Sequence, residues 1–82
     1  MRMSKYRIRE VLPDSSTCIR RFDTLCQISK FITTWINSSR VDDCLYHYGF
    51  YKLSIEMYSI KYEQWIVMYE LVTEDANTWR FQ

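Results

Sequence analysis

Residues 52–73 read KLSIEMYSIKYEQWIVMYELVT, and this stretch decides the fold of the chain. It is rich in β-branched and aromatic residues and contains neither glycine nor proline. Polarity alternates on both sides of a short central segment, Lys61-Tyr62-Glu63. Such a pattern is typical of two paired strands joined by a turn. The sequence therefore predicts a β-hairpin.

The same alternation predicts which side chains of the hairpin face a core. The residues expected to face it are Tyr51, Leu53, Ile55 and Met57 in the first strand and Trp65, Val67, Tyr69 and Leu71 in the second. The intervening positions of the second strand are also largely apolar. We therefore expect Ile66, Met68 and Val72 either to form an uncovered patch on the opposite face or to be covered by a second small helix.

A second hairpin is predicted at the start of the chain. Residues 5–12 and 17–22 alternate like strands, and Pro13-Asp14-Ser15-Ser16 between them is a turn sequence. The arginines of this hairpin are Arg7, Arg9, Arg20 and Arg21. Like charges on neighbouring strands destabilise a sheet. We expect these arginines to pair with Glu10 and Asp14 or to meet an anionic partner.

A helix is predicted to begin after Asp23 or Thr24. Thr24 followed by Gln27 fits a capping box, in which each side chain satisfies a backbone donor of the first turn. The apolar stripe of this helix comprises Leu25, Ile28, Ile32, Trp35 and Ile36. Spacings of three and four place these side chains on one face, which we expect to pack on a sheet. Asn37-Ser38-Ser39 is expected to end the helix.

The segment from residue 41 to 50 has two interpretations, a short helix started by Asp42 or a loop that returns to the sheet. Gly49 is the only glycine and is expected to adopt a positive φ or to allow a close backbone approach. A final strand is predicted at 78–81. The whole is a single α+β domain, residues 1–82, with an antiparallel sheet of four to five strands and one long helix on one face in the order β-β-α-β-β-β. The alternative is a second helix between residues 42 and 60.

The charge is balanced overall and uneven along the chain. The formal net charge is +1, which argues against a general electrostatic attraction to nucleic acid. Residues 1–40 carry eight lysines and arginines against three acidic residues, whereas residues 41–82 carry three against seven. Folding brings these halves together, so they either neutralise each other or leave a basic patch formed by the first half.

Sites for catalysis or metal binding are not indicated. Cys18, Cys26, Cys44 and His47 are the residues that could ligate zinc, but they lack two tight ligand pairs, and we expect no metal or cofactor. A nucleophilic site would have to use His47, the only histidine. The first ten residues lack the apolar core of a signal peptide, and no apolar run is long enough to span a membrane. We expect a cytoplasmic protein that is not an enzyme.

Protein binding is the function that the composition favours. Seven tyrosines, three tryptophans and four methionines exceed what one layer of helix on sheet needs, so some are expected at the surface. In size, charge asymmetry and low glycine, proline and alanine content, the chain resembles the small proteins with which phages and mobile elements inhibit host machinery, anti-CRISPR proteins among them. That resemblance implies stoichiometric binding to a host protein.

The expected binding residues are those that combine arginine with large apolar or aromatic side chains. They are Arg7, Arg9, Arg20, Arg21, Ile66, Met68 and Tyr58. A homodimer is a further expectation. The alternative function is binding of nucleic acid by the arginine-rich hairpin and exposed aromatic residues.

Overall fold

A computed structural model describes residues 4–12, 16–75 and 78–81, and for 16–18, 75 and 78–81 it describes the backbone only. The elements are β1 (Tyr6–Val11), β2 (Ser16–Phe22), α1 (Leu25–Trp35), α2 (Ser39–Tyr48), β3 (Tyr51–Ser59), β4 (Gln64–Asp75) and β5 (Thr78–Phe81). The predicted α+β class is confirmed.

The strands form one antiparallel sheet in the order β2-β1-β3-β4-β5. The predicted hairpin is β3 and β4, which pair from Tyr51 opposite Thr73 to Ser59 opposite Gln64. β1 lies on the other side of β3, so that Ile8 is opposite Ile55. The sheet thus joins the N-terminal hairpin to the hairpin that decides the fold.

Helix α1 begins as the sequence predicts. The backbone N–H of Gln27 donates to Thr24 Oγ1 at 3.2 Å, and Gln27 Oε1 accepts from the backbone N–H of Thr24 at 3.3 Å. These reciprocal bonds satisfy donors that the first turn leaves without an intrahelical partner. Ile28 is buried at the centre of the apolar stripe, whereas Leu25 at its start is half exposed.

The prediction of one long helix is wrong, because a second helix of similar length follows α1. It begins at Ser39, three residues before Asp42, and buries Val41 and Cys44. Of the two interpretations of residues 41–50, the helix is therefore confirmed, with an earlier start. The helix ends at Gly49, whose φ of 79° is the left-handed conformation that glycine adopts without a steric penalty.

A β-bulge changes the predicted faces of β4. Tyr69 is opposite Ile55, but Val67 is opposite the next residue, Glu56, so Met68 is the extra residue. Before the bulge the side chains of β4 alternate in the opposite sense from those after it. Trp65 and Val67 therefore do not share a face with Tyr69 and Leu71, and their assignment to the core is wrong.

The core lies between the two helices and the sheet. Its buried apolar residues are Tyr6, Ile8, Phe22, Ile28, Val41, Cys44, Tyr51, Leu53, Ile55 and Leu71. Met68 is partly buried and packs against this core, and Val72 is 7% exposed. The predicted patch of Ile66, Met68 and Val72 does not form, since Met68 and Val72 are not uncovered. Within the described ranges, neither helix is long and apolar enough to cross a membrane.

Candidate functional site

The face of the sheet that lies opposite the two helices, termed the outer face, carries a cluster of charged and aromatic side chains. Strand register assigns alternate residues of β1, β2, β3 and β4 to it, because their neighbours point into the core. The cluster, termed the arginine–tryptophan cluster, consists of Arg7, Arg9, Arg21, Glu56, Tyr58 and Trp65.

Glu56 is the centre of this cluster, and its side chain is only 2% exposed. Its carboxylate accepts hydrogen bonds from Arg7 Nε at 2.5 Å, Arg9 Nε at 3.1 Å and Ser54 Oγ at 2.9 Å. Burial acts to raise the pKa of Glu56, but the bonds from Arg7, Ser54 and Arg9 together outweigh it and hold the pKa below its ordinary value. The carboxylate therefore stays charged and positions both guanidinium groups.

Trp65 contacts both arginine and aromatic side chains of the cluster. The guanidinium carbon of Arg7 lies 4.5 Å from the centre of a Trp65 ring, and that of Arg21 lies 5.8 Å from it. Both distances are within the range of cation–π attraction. Tyr58, directly opposite Trp65 on β3, meets it edge to face with ring centres 5.4 Å apart. The two arginines thus lie against Trp65, which Tyr58 contacts from the neighbouring strand.

The cluster keeps a positive charge. Two guanidinium groups share the single carboxylate of Glu56, and Arg21 forms no ion pair with any described side chain. Farther along the same face, Lys52 Nζ and Glu70 Oε2 form an ion pair at 2.5 Å, so that their charges cancel. Among the ion pairs of the described side chains, those around Trp65 therefore leave positive charge uncompensated.

The structure brings together four of the seven predicted binding residues, namely Arg7, Arg9, Arg21 and Tyr58. It separates the others from them. Arg20, opposite the buried Ile8, lies on the helix side with its guanidinium carbon 5.7 Å from the ring centre of Phe31.

The two apolar residues of the predicted set also lie away from the cluster. Ile66 is opposite Met57, a residue of the core-facing set, and is therefore on the helix side with 36% of its surface exposed. Met68 packs against the core at the bulge. The uncovered residue of β4 near the cluster is Val67, which the sequence pattern assigned to the core.

Glu56 and Trp65 are the residues of the cluster that the sequence pattern did not single out. In the alternating sequence pattern, Glu56 occupies a position typical of a solvent-exposed strand residue. Trp65 occupies a position typical of a core residue. The one available signal was the excess of arginine on the first hairpin, which required a carboxylate from elsewhere. The sequence predicts Glu10 and Asp14 as the carboxylates that pair with these arginines. Asp14 lies outside the described residues.

Glu10 forms a separate network on the helix side. Arg40 donates to both of its carboxylate oxygens, from Nε at 3.1 Å and from Nη2 at 3.0 Å. The hydroxyl of Tyr51 donates to Glu10 Oε2 at 2.8 Å and accepts from Trp35 Nε1 at 2.6 Å. The expected pairing of Glu10 with the arginines of β1 and β2 is wrong, because Glu10 points to the opposite face from Arg7 and Arg9.

The protonation states of this network are fixed by its geometry. The hydrogen bond and the charge of Glu10 raise the pKa of Arg40 further above its ordinary value. Burial raises the pKa of Tyr51 far above its ordinary value, against the opposing effect of the bond from Trp35. Arg40 and Tyr51 therefore remain protonated, which suits a structural network and not an acid–base pair that exchanges protons near neutral pH.

A shallow apolar groove also lies on the helix side, between α1 and the hairpin. It has a volume of about 530 Å³ and is lined by Leu25, Ile28, Ser29, Ile32, Thr33, Ile55 and Tyr69. None of the described charged side chains lines it. Tyr69, which is 52% exposed, forms its outer wall.

The candidate metal and nucleophile residues are dispersed. Cys26 is exposed on α1, and Cys44 is on the buried side of α2; neither is joined in a disulfide. His47 is exposed and contacts Tyr46, with ring centres 5.2 Å apart. Among the side chains that the structure describes, no three histidine, cysteine, aspartate or glutamate residues are grouped so as to hold a metal ion. The side chain of Cys18 lies outside the described residues.

No protein-family model matches this chain, and no curated protein or solved structure is significantly similar to it.

Proposed function

We propose that this chain is a non-enzymatic, cytoplasmic protein-binding module that uses the outer face of its sheet to bind an acidic surface of another protein. The observation that carries this proposal is the arginine–tryptophan cluster, in which Arg7 and Arg21 lie against Trp65. Tryptophan, tyrosine and arginine are the residues that most often dominate the binding energy of protein interfaces. The proposed partner is a host protein bound stoichiometrically.

The cluster suits binding because its side chains are ordered before a partner arrives. Glu56 holds Arg7 and Arg9, while Tyr58 and Trp65 support each other. Preorganised side chains lose less conformational entropy on binding than mobile ones do. The positive charge that remains favours carboxylates of a partner. It also opposes pairing of two copies through this face, so the proposed partner is a different protein.

The test exploits two neighbouring arginines on opposite faces of β2. The wild-type protein, immobilised through a tag, is used to capture partners from a host lysate, and the captured protein is identified and purified. We expect Arg21→Glu to weaken the measured affinity for it at least tenfold, or about 1.4 kcal/mol. Charge reversal both removes a contact to Trp65 and places a carboxylate against the acidic surface.

Arg20→Glu is the matched control, because Arg20 is next in sequence and also lies beside an aromatic ring, that of Phe31, but on the helix side. It should leave the affinity within twofold of the wild type. Equal effects of the two substitutions, or no effect of Arg21→Glu, would contradict the proposal. Thermal unfolding of both variants establishes that each remains folded.

Binding of single-stranded nucleic acid is the second candidate, and the pairing of Tyr58 with Trp65 on adjacent strands favours it. Bases stack on aromatic side chains exposed on open sheets, with arginine beside the backbone. In this chain Arg7 already lies over Trp65, so a base would have to displace it. A gel-shift assay at low salt with single- and double-stranded DNA and RNA tests this candidate, and absence of a shift with every probe rejects it.

A further inference from the structure

The tip of the β3–β4 hairpin, residues 60–63, is termed the hairpin tip, and it carries two apolar side chains into solvent. Ile60 is 84% exposed and Tyr62 is 60% exposed. An isolated exposed apolar residue needs no explanation, but two within a single turn form a small, largely apolar knob, with Lys61 Nζ 5.3 Å from the ring centre of Tyr62. Charged side chains at these positions would give the same turn without exposing apolar surface.

The hairpin tip extends beyond the described pairing of β1 with β3. The last pair that β1 makes with β3 is Tyr6 opposite Met57, followed by one backbone bond from the N–H of Tyr58 to the carbonyl of Lys5 at 3.0 Å. Residues 60–63 come after these contacts. Relative to the described residues, the apolar knob is therefore a protrusion that a partner can contact, with Ser4 and Lys5 beside Ile60 at its base.

The backbone of the hairpin tip is held in a defined conformation. The N–H of Tyr62 donates to Ser59 Oγ at 3.2 Å. Glu63 has a φ of 53°, a left-handed conformation that residues other than glycine adopt at a cost. A left-handed residue commonly closes a short hairpin loop.

The hairpin tip is continuous with the outer face. Ser59 opposite Gln64 is the only pair between the turn and the pair formed by Tyr58 and Trp65. The apolar knob and the arginine–tryptophan cluster thus adjoin along one hairpin. An apolar anchor beside a rim of arginine and aromatic side chains is the usual anatomy of an interface core.

We infer that the hairpin tip is the anchor of the proposed interface and that the partner protein receives Ile60 and Tyr62 in a concave apolar pocket whose rim carries acidic side chains opposite Arg7 and Arg21. The inference rests on the proposed function. The convex shape of the knob requires a concave site, and its apolar side chains require an apolar lining. Because the adjoining cluster is positively charged, the rim of the partner's pocket is expected to be negatively charged.

The experiment measures the dissociation constant between the purified partner and each of Ile60→Asp and Tyr62→Asp. Each should weaken binding at least tenfold, since a carboxylate would be buried without a partner charge in an apolar pocket. Thermal unfolding should be unchanged because both side chains are exposed in the free protein. Tyr46→Asp is the matched control; Tyr46 is 86% exposed on α2, away from the outer face, and its substitution should leave the constant within twofold.

The outcomes separate this inference from the proposed function. If Arg21→Glu weakens binding while Ile60→Asp and Tyr62→Asp do not, the outer face binds without the hairpin tip and the inference is rejected alone. If the wild-type protein captures no partner, both are rejected. If it instead sediments with vesicles of phosphatidylcholine and phosphatidylserine and the tip substitutions abolish this, the hairpin tip is a membrane-binding element and the inference is likewise rejected.

Discussion

Glu56 combines burial with full ionisation, and the reason is the number of donors around it. Arg7 and Arg9 lie 49 and 47 residues away in sequence, and only the pairing of β1 with β3 brings them to the carboxylate. No local pattern around Glu56 signals this. A polar residue in an alternating strand has the same sequence appearance whether its face is solvated or covered by arginine side chains.

Replacement of this carboxylate by an amide tests its contribution to stability. Because the pKa of Glu56 is lowered from its ordinary value of 4.5, its ionised form stabilises the folded state above about pH 4.5, and this stabilisation is lost as the pH falls through the lowered value. We expect Glu56→Gln to reduce the free energy of unfolding at pH 7 by about 1–3 kcal/mol. In urea titrations between pH 7 and pH 3, the difference from the wild type should shrink as the wild-type carboxyl is protonated.

Glu70→Gln is the control, because Glu70 is on the same face and pairs with Lys52, but both side chains are about a third exposed. Exposed ion pairs contribute roughly 0–1 kcal/mol, so this substitution should change the free energy of unfolding little at any pH. A difference between Glu56→Gln and the wild type that stayed constant down to pH 3 would be at odds with a lowered pKa.

The β3–β4 hairpin was predictable as an element, but its faces were not. Alternating β-branched and aromatic residues without glycine or proline specify paired strands. The bulge at Met68 inverts the alternation within β4, and nothing in the sequence distinguishes Met68 from its apolar neighbours. Because residues on both sides of the bulge are large and apolar, either assignment of Trp65 and Val67 was consistent with the pattern.

The turn of this hairpin gives a prediction about strain. Glu63 occupies a left-handed conformation, with φ of 53°, in which a Cβ is unfavourable. Glu63→Gly removes that penalty but gives the unfolded chain more freedom, which costs about 0.5–1 kcal/mol. We expect a net stabilisation of roughly 0.5–1 kcal/mol relative to Glu63→Ala, measured by urea unfolding. The alanine variant isolates the backbone effect because it also lacks the carboxylate. A glycine variant less stable than the alanine variant by about 0.5–1 kcal/mol would show that the turn stores no such strain, because only the cost of the added chain freedom would remain.

At the scale of the whole molecule, the helices are attached to the sheet by packing and by a polar network centred on the buried residues Glu10 and Tyr51. Trp35 ends α1, Arg40 is in the first turn of α2, and Glu10 and Tyr51 belong to β1 and β3. The capping box made the start of α1 predictable. The break after it and the start of α2 were not, because the N-cap Ser38 forms no side-chain cap bond and the network that fixes Arg40 depends on residue 10.

Tyr51→Phe tests whether this network anchors the end of α1 to the sheet. The substitution removes one hydroxyl, which leaves Trp35 Nε1 without its acceptor and Glu10 with one donor fewer. Loss of a buried hydrogen-bond partner costs about 1–3 kcal/mol, and we expect a loss of this size in urea unfolding. Amide hydrogen exchange should accelerate more in the last turn of α1 than in the first turn of α2, because Trp35 loses its acceptor whereas Arg40 keeps both of its bonds to Glu10.

A double-mutant cycle with Glu10→Gln distinguishes a network from independent contacts. If Tyr51 and Glu10 act together, the cost of removing the hydroxyl should differ between the two backgrounds by about 0.5–3 kcal/mol. Tyr46→Phe is the control, since its hydroxyl is on an exposed side chain and its removal should leave both stability and exchange unchanged. Additive costs for Tyr51 and Glu10, together with uniform acceleration of exchange across the sheet and helices, would mean that apolar packing alone attaches the helices to the sheet.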